Sequence, residues 1–237
     1  MPSARLWSGM GIVYLFTLFP CFAQGQNAAP GDGTEDKRVF GVIPNNRTTE
    51  ASVPFRPITA KRKMTIAYKD SFDWPVYPTA AAFALLYQLE DQNPSFGQGL
   101  KGYAKRFAGA YGDQLIGNIM TEGIMPSLTR EDPRYFRLGE GSTKHRMVYA
   151  LTRILVTRTD SGRNTFNVSE VAGNSIAVAV SNAWYPDTRT AHDAISKLSI
   201  QLATDAFSNV LKEFWPDVKR HFQKKHDEPQ MNANGRE

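Results

Sequence analysis

Glu122 lies in "IMTEGIMP" (119–126), a carboxyl among isoleucine and methionine near the end of an apolar, helix-forming run. Removing a carboxyl from water disfavours its charged form, and a proton retained near neutrality suits a general acid. Helical enzymes that cleave glycans use such a group with a second carboxylate across the scissile bond. Glu131, Asp132 and Asp113 are the candidates for that second role. The competing reading pairs Glu122 with Arg134 or Arg137 of "EDPRYFR", since buried carboxylates usually have a cationic partner. Pairing is the expectation, and Glu122 as general acid is the alternative.

Other constellations carry less. Gly173-Asn174-Ser175-Ile176-Ala177 has G-x-S-x-A form, but a nucleophile elbow needs a strand before its serine, and Ser175 falls inside a helical stretch. His145 sits between Lys144 and Arg146, His192 beside Asp193, and His221 and His226 near the C-terminus. Without H-x-x-x-H or HExxH spacing, no metal site and no cofactor are expected. "GQGLKG" (97–102) lacks the lysine–hydroxyl ending of a phosphate loop and reads as a turn. Asp205, Asn209 and Glu213 recur every fourth residue opposite an apolar stripe, and a solvated face is the expectation.

The elements that must position these residues are mainly helical. Thr59 is a natural N-cap for "AKRKMTIAYKDSF", and Pro78 suits the first turn of "PTAAAFALLYQLEDQ". "KGYAKRFAGAYGDQLIGNIMTEGIMPSL" forms the next long helix, and "STKHRMVYALTRIL" another. "ILVTRTDSGRNTFNV" (154–168) places β-branched residues around Asp160-Ser161-Gly162, a hairpin with Gly162 left-handed. Asn167 with Glu170 resembles a capping box. In the helix that follows, Gly173, Ala177 and Ser181 make an almost bare edge for a close crossing. Asn174 and Asn182 are expected to border it. The last helix runs from about 187, with Ile195, Leu198, Leu202, Ala206, Val210 and Phe214 on one stripe. Tyr185-Pro186 and Trp215-Pro216 are expected to stop their helices. The fold class is therefore mainly α: a compact helical bundle with one short hairpin and an extended N-terminal arm.

At the N-terminus, Arg5, the apolar run 10–19 and the small residues of "CFAQG" have the layout of an export signal. That run is shorter than the ~20 residues that span a bilayer. Residues 1–25 are read as the signal, with cleavage near Ala23 or Gly25. Residues 26–58 follow as a disordered or extended arm, 59–217 as the helical domain, and 218–237 as a disordered basic tail. Cys21 is the sole cysteine, so cleavage leaves no thiol, and stability must come from one core. The net charge is a modest +5, with clusters at Lys61-Arg62-Lys63 and at Lys219, Arg220, Lys224 and Lys225. These are ordinarily solvated, with attraction to anionic lipid or glycan as the functional alternative. Nucleic acid is not an expected partner.

From about 39 to 217 the chain resembles a family of uncharacterised exported bacterial proteins, on "VFGVIPNNRT", "KDSF", "PSFGQGLKGYAKRF", "EDPRYFR", "TRTDSG", "SNAWYPD" and "VLKEFWPD". The resemblance implies export and a single domain, and carries no activity or binding residues with it. The sequence thus leads to an exported, periplasmic or outer-envelope-associated, non-enzymatic helical protein with a binding or structural role. The alternative is a helical cell-wall glycan hydrolase with Glu122 as its acid.

Overall fold

A computed structural model describes residues 47–187 and 189–234, with two short segments at 38–39 and 43–44; side chains are described from 47 to 221, except 188. The expected signal segment and most of the arm lie outside these residues. The chain is mainly α, as its periodicity implied. Helix α1 (Ala60–Ser71) begins where the Thr59 hydroxyl accepts the Arg62 N–H at 3.2 Å. Helix α2 (Val76–Leu89) carries Pro78 in its first turn, where no backbone donor is lost. Helix α3 (Gly99–Asn118) widens into a π-helical segment, Ile119–Ile124, and re-forms as the short α4 (Met125–Thr129). Then come α5 (Thr143–Thr152), α6 (Val168–Ser181) and the long α7 (Ala191–Asn234).

Short strands lace the bundle. β1 (Arg38–Val39) pairs antiparallel with β2 (Ile43–Pro44), and β3 (Thr48–Glu50) lies parallel to β5 (Tyr135–Arg137). β4 (Glu131–Asp132) joins the hairpin β6 (Val156–Thr159)–β7 (Asn164–Phe166), and Gly162 turns that hairpin at φ +83°. The end of the expected arm is thus built into the domain: β3 fixes the chain next to Arg47, whose side chain enters the core.

Glycines set how closely the helices meet. A Cβ on Gly173 would lie 3.2 Å from the Met120 carbonyl carbon and the Thr121 Cα, so α6 packs backbone to backbone on the π segment. A Cβ on Gly123 would meet Met64 and Ala67 of α1 at 2.6 and 3.2 Å. The segment holding Glu122 is therefore clamped between two helices. The expected close crossing at Gly173, Ala177 and Ser181 is present, and all three are buried.

Each major helix turns a polar or small-residue face inward. Helix α1 buries Lys63, Asp70 and Ser71 beside Ile66 and Ala67, while Met64, Tyr68 and Phe72 are exposed. Helix α5 buries Arg146 and Ala150 and exposes Met147, Val148 and Leu151. On α7 the expected separation of faces is not kept: Lys212 and Glu213 are buried and Asp205 and Asn209 half-buried, while Leu198, Leu202, Ala206, Val210 and Phe214 are also only half-buried and Ile195 is 65% exposed. A periodic stripe shows that a helix has two faces and leaves open which one is desolvated. Here the polar face finds hydrogen-bond and charge partners on neighbouring helices, which offsets its loss of water.

Two further expectations are corrected. Helix α7 does not stop at Trp215-Pro216 but continues to Asn234, through much of the expected disordered tail. Pro216 removes one ladder donor, and Arg146 supplies others to this turn. Its Nη2 donates to the Glu213 carbonyl at 2.7 Å and its Nη1 to Asp217 Oδ2 at 2.6 Å. Lys63, expected in a solvated basic cluster, is 1% exposed and donates through Nζ to Asp160 and to the Pro126 carbonyl. Asn174, expected at the border of the crossing, is 1% exposed and turns to Glu170 and to Asp205 of α7.

Candidate functional site: a buried ionic cluster

Six ionisable side chains from five segments, Glu122 among them, converge in the core. Arg47 enters ahead of β3, Asp70 from α1, Glu122 from the π segment, Glu170 from α6, and Asp205 and Lys212 from α7. The π segment matters because one extra residue in its turn shifts which side chains face inward. Arg47 Nη1 lies 2.9 Å from Glu122 Oε1, and Glu122 is 2% exposed. Its second oxygen has no hydrogen-bond partner among the described residues. Asn174 Nδ2 donates to Glu170 at 2.9 Å and reaches Asp205 at 3.4 Å, and Gln201 also donates to Asp205.

Protons balance these charges. Burial pushes the Glu122 carboxyl up to about 8, with Asp70 and Asp205 adding to the rise and Arg47 and Lys212 opposing it. Burial also raises Glu170 well above the usual carboxylate range, reinforced by Asp205. Lys212 is lowered to about 8 by burial and by the Arg47 charge. Burial works against charge on Arg47 as well, but four surrounding carboxyls outweigh it and hold it cationic. The cluster thus sets four carboxyls against two cations away from water, and burial favours the neutral forms of Glu122, Glu170 and Lys212.

The expected partners of Glu122 are engaged elsewhere. Arg134 forks onto Asp132 through Nε and Nη2, and Arg137 pairs with Glu50. Glu131 accepts the Val168 and Ser169 N–H groups at the start of α6, while the Asn167 N–H that a capping-box Glu170 would have accepted goes to the Leu155 carbonyl. Asp113 accepts from the Tyr185 hydroxyl at 2.9 Å. None of the three proposed second carboxylates faces Glu122 across a groove. Ser175 is exposed and donates back to the Val171 carbonyl, an ordinary mid-helix arrangement. Among the described residues, no group of His, Cys, Asp and Glu is set to hold a metal ion.

Beside the cluster lies a pocket of about 40 Å³, bounded by Arg47, Glu170, Asp205 and Asn209 on one side and by Asp132 and Arg158 on the other. It has room for a few waters and none for a sugar ring. Glu122 does not line it. The arrangement can store protons and fix helices in register, but it offers Glu122 no substrate access.

A second cluster shows full satisfaction. Glu213, wholly buried, accepts from Arg146 Nε at 2.8 Å, the Tyr135 hydroxyl at 2.7 Å, and the Leu138 and Gly139 N–H groups. Burial alone would raise it, yet these donors hold its carboxyl below the usual range. Sequence reasoning missed the roles of Arg47, Asp70, Glu170 and Lys212. The one available signal was polar spacing: Glu170 with Asn174, and Asp205 with Asn209 and Glu213.

The fold and site thus define a mainly α domain with an ionic core. Comparison with protein-family models, curated proteins and solved structures finds no match for this chain.

Proposed function

We propose that this is an exported, envelope-associated protein with a non-enzymatic binding or structural role. The observation that carries the reading is the enclosure of Glu122: 2% exposed, held by Arg47, and away from the neighbouring pocket. A general acid must reach the leaving-group oxygen of its substrate. The support for export is the layout of residues 1–25. Among the described residues, no helix is long and apolar enough to cross a membrane.

The test is turnover of purified peptidoglycan by wild type and Glu122→Gln, alongside mass spectrometry of envelope-extracted protein. The expected results are no cleavage by either form and a chain beginning near Gln24 or Gln26. Wild-type cleavage that disappears in a folded Glu122→Gln variant would overturn the non-enzymatic reading. An intact Met1 would overturn export with processing.

A further inference from the structure

The inverted helices leave one continuous aromatic surface. Tyr68 of α1 and Phe72 at its C-cap meet at a tilt with centroids 4.5 Å apart, Phe72 meets Tyr111 of α3 edge-on at 6.5 Å, and Tyr111 stacks on Tyr77 of α2 at 5.4 Å. Tyr68, Phe72 and Tyr77 are 63, 43 and 42% exposed. Trp74, in the connection between α1 and α2, is 52% exposed. Most of these rings have a polar tip on an apolar body, the type that settles where hydrocarbon meets water.

The charge around this surface is mainly positive, with Asp73, half-buried between Phe72 and Trp74, as its one acid between 61 and 77 apart from buried Asp70. Lys61, Arg62 and Lys69 are exposed on α1. The one acid of that helix, Asp70, points into the core, and α2 carries no charged residue. Lysine is depleted at the centre of protein–protein interfaces, whereas its long stem suits a lipid surface, lying on acyl chains while the amine meets headgroups. Among the described residues no helix is long and apolar enough to cross a membrane, and an aromatic face rimmed by cations is of the kind that seats at a lipid interface.

We infer that the α1–α2 face, centred on Tyr68, Phe72, Trp74 and Tyr77, docks on an anionic lipid surface with Lys61, Arg62 and Lys69 against the headgroups. This rests on the envelope-binding reading and names its partner. The test uses the full chain with vesicles of phosphatidylcholine, alone or mixed with phosphatidylglycerol, some carrying brominated acyl chains. Wild type should float with the anionic vesicles, less so at high salt, and brominated lipid should quench a tryptophan signal that Trp74→Phe removes. Tyr68→Ser/Phe72→Ser should bind roughly tenfold or more weakly. Lys61→Glu/Lys69→Glu should lose the preference for anionic lipid while keeping wild-type circular dichroism. Three results would each overturn the inference. The first is no flotation, and the second is equal flotation of wild type and both double variants, which would assign binding to another segment such as the apolar N-terminal run. The third is a wild-type dimer that the aromatic variant dissolves, which would make the face a contact between copies. Failure here leaves the non-enzymatic reading standing, and peptidoglycan cleavage would defeat that reading without touching vesicle binding.

Discussion

Glu122 and Glu213 are both carboxyls sealed from water, yet their environments move them in opposite directions. Glu213 has four donors and is held low; Glu122 has one guanidinium and a second oxygen without a partner among the described residues, so burial wins and carries it to about 8. The consequence is a pH dependence of definite sign. Between its ordinary value of 4.5 and about 8, Glu122 binds more protons folded than unfolded, so stability falls as pH rises through that window. Glu170, also raised, adds to the fall. Lys212, lowered from 10.5 to about 8, works the other way, returning stability from about 8 upward. Urea midpoints taken from pH 5 to pH 8 should therefore decline. Glu122→Gln should flatten the decline by about 1.4 kcal/mol per pH unit, the slope of one proton. A level wild-type profile would mean that Glu122 is ionised throughout. Arg47→Met tests the same cluster from its cationic side. Stranding buried carboxylates should cost about 3–5 kcal/mol, read in the same titration at pH 7.

The crossing of α6 over the π segment depends on a missing side chain. Gly173 lies against the backbone of Met120 and Thr121, which cannot swing aside as a flexible side chain could. Alanine at 173 would gain up to about 1 kcal/mol of helix propensity, but overpacking should cost roughly 1–3 kcal/mol. Gly173→Ala is therefore expected to lower the thermal midpoint, and a rise would show that the helices can part without loss. Much at this scale was legible in the sequence. Thr59 and Asn167 accept N–H bonds at their helix starts, Gly162 turns the hairpin, and the small-residue edge marks a crossing. These features depend on residues a few positions apart. Pro216 is the exception, because the donors that help α7 pass it come from Arg146 on α5.

Among the described residues, polar and charged groups outnumber apolar ones at the buried positions, beside Ile66, Tyr135, Phe136, Tyr185 and several alanines, while Tyr68, Leu85, Leu89, Val148 and Ile195 face outward. This is the reverse of the usual soluble arrangement, and paired charges inside a bundle with apolar groups outside suit contact with lipid or a partner. The native protein should bind an apolar surface probe such as ANS while keeping its near-ultraviolet circular dichroism. Non-ionic detergent micelles should then compete the dye away. Dye fluorescence no higher than in buffer would mean that the outer faces are already covered.

By itself the sequence determined the helical class, most helix starts, the hairpin and the close-packed edge, because capping, turn geometry and side-chain bulk act locally. It also marked Glu122 as a carboxyl in apolar surroundings. Only the tertiary structure decided which face of each helix turns inward and which cation meets Glu122. Periodicity is unchanged when a helix is rotated by half a turn, and desolvating a polar face depends on partners that the chain brings from far away. Arg47 lies 75 positions before Glu122 and Lys212 lies 90 after it, and no local pattern joins them.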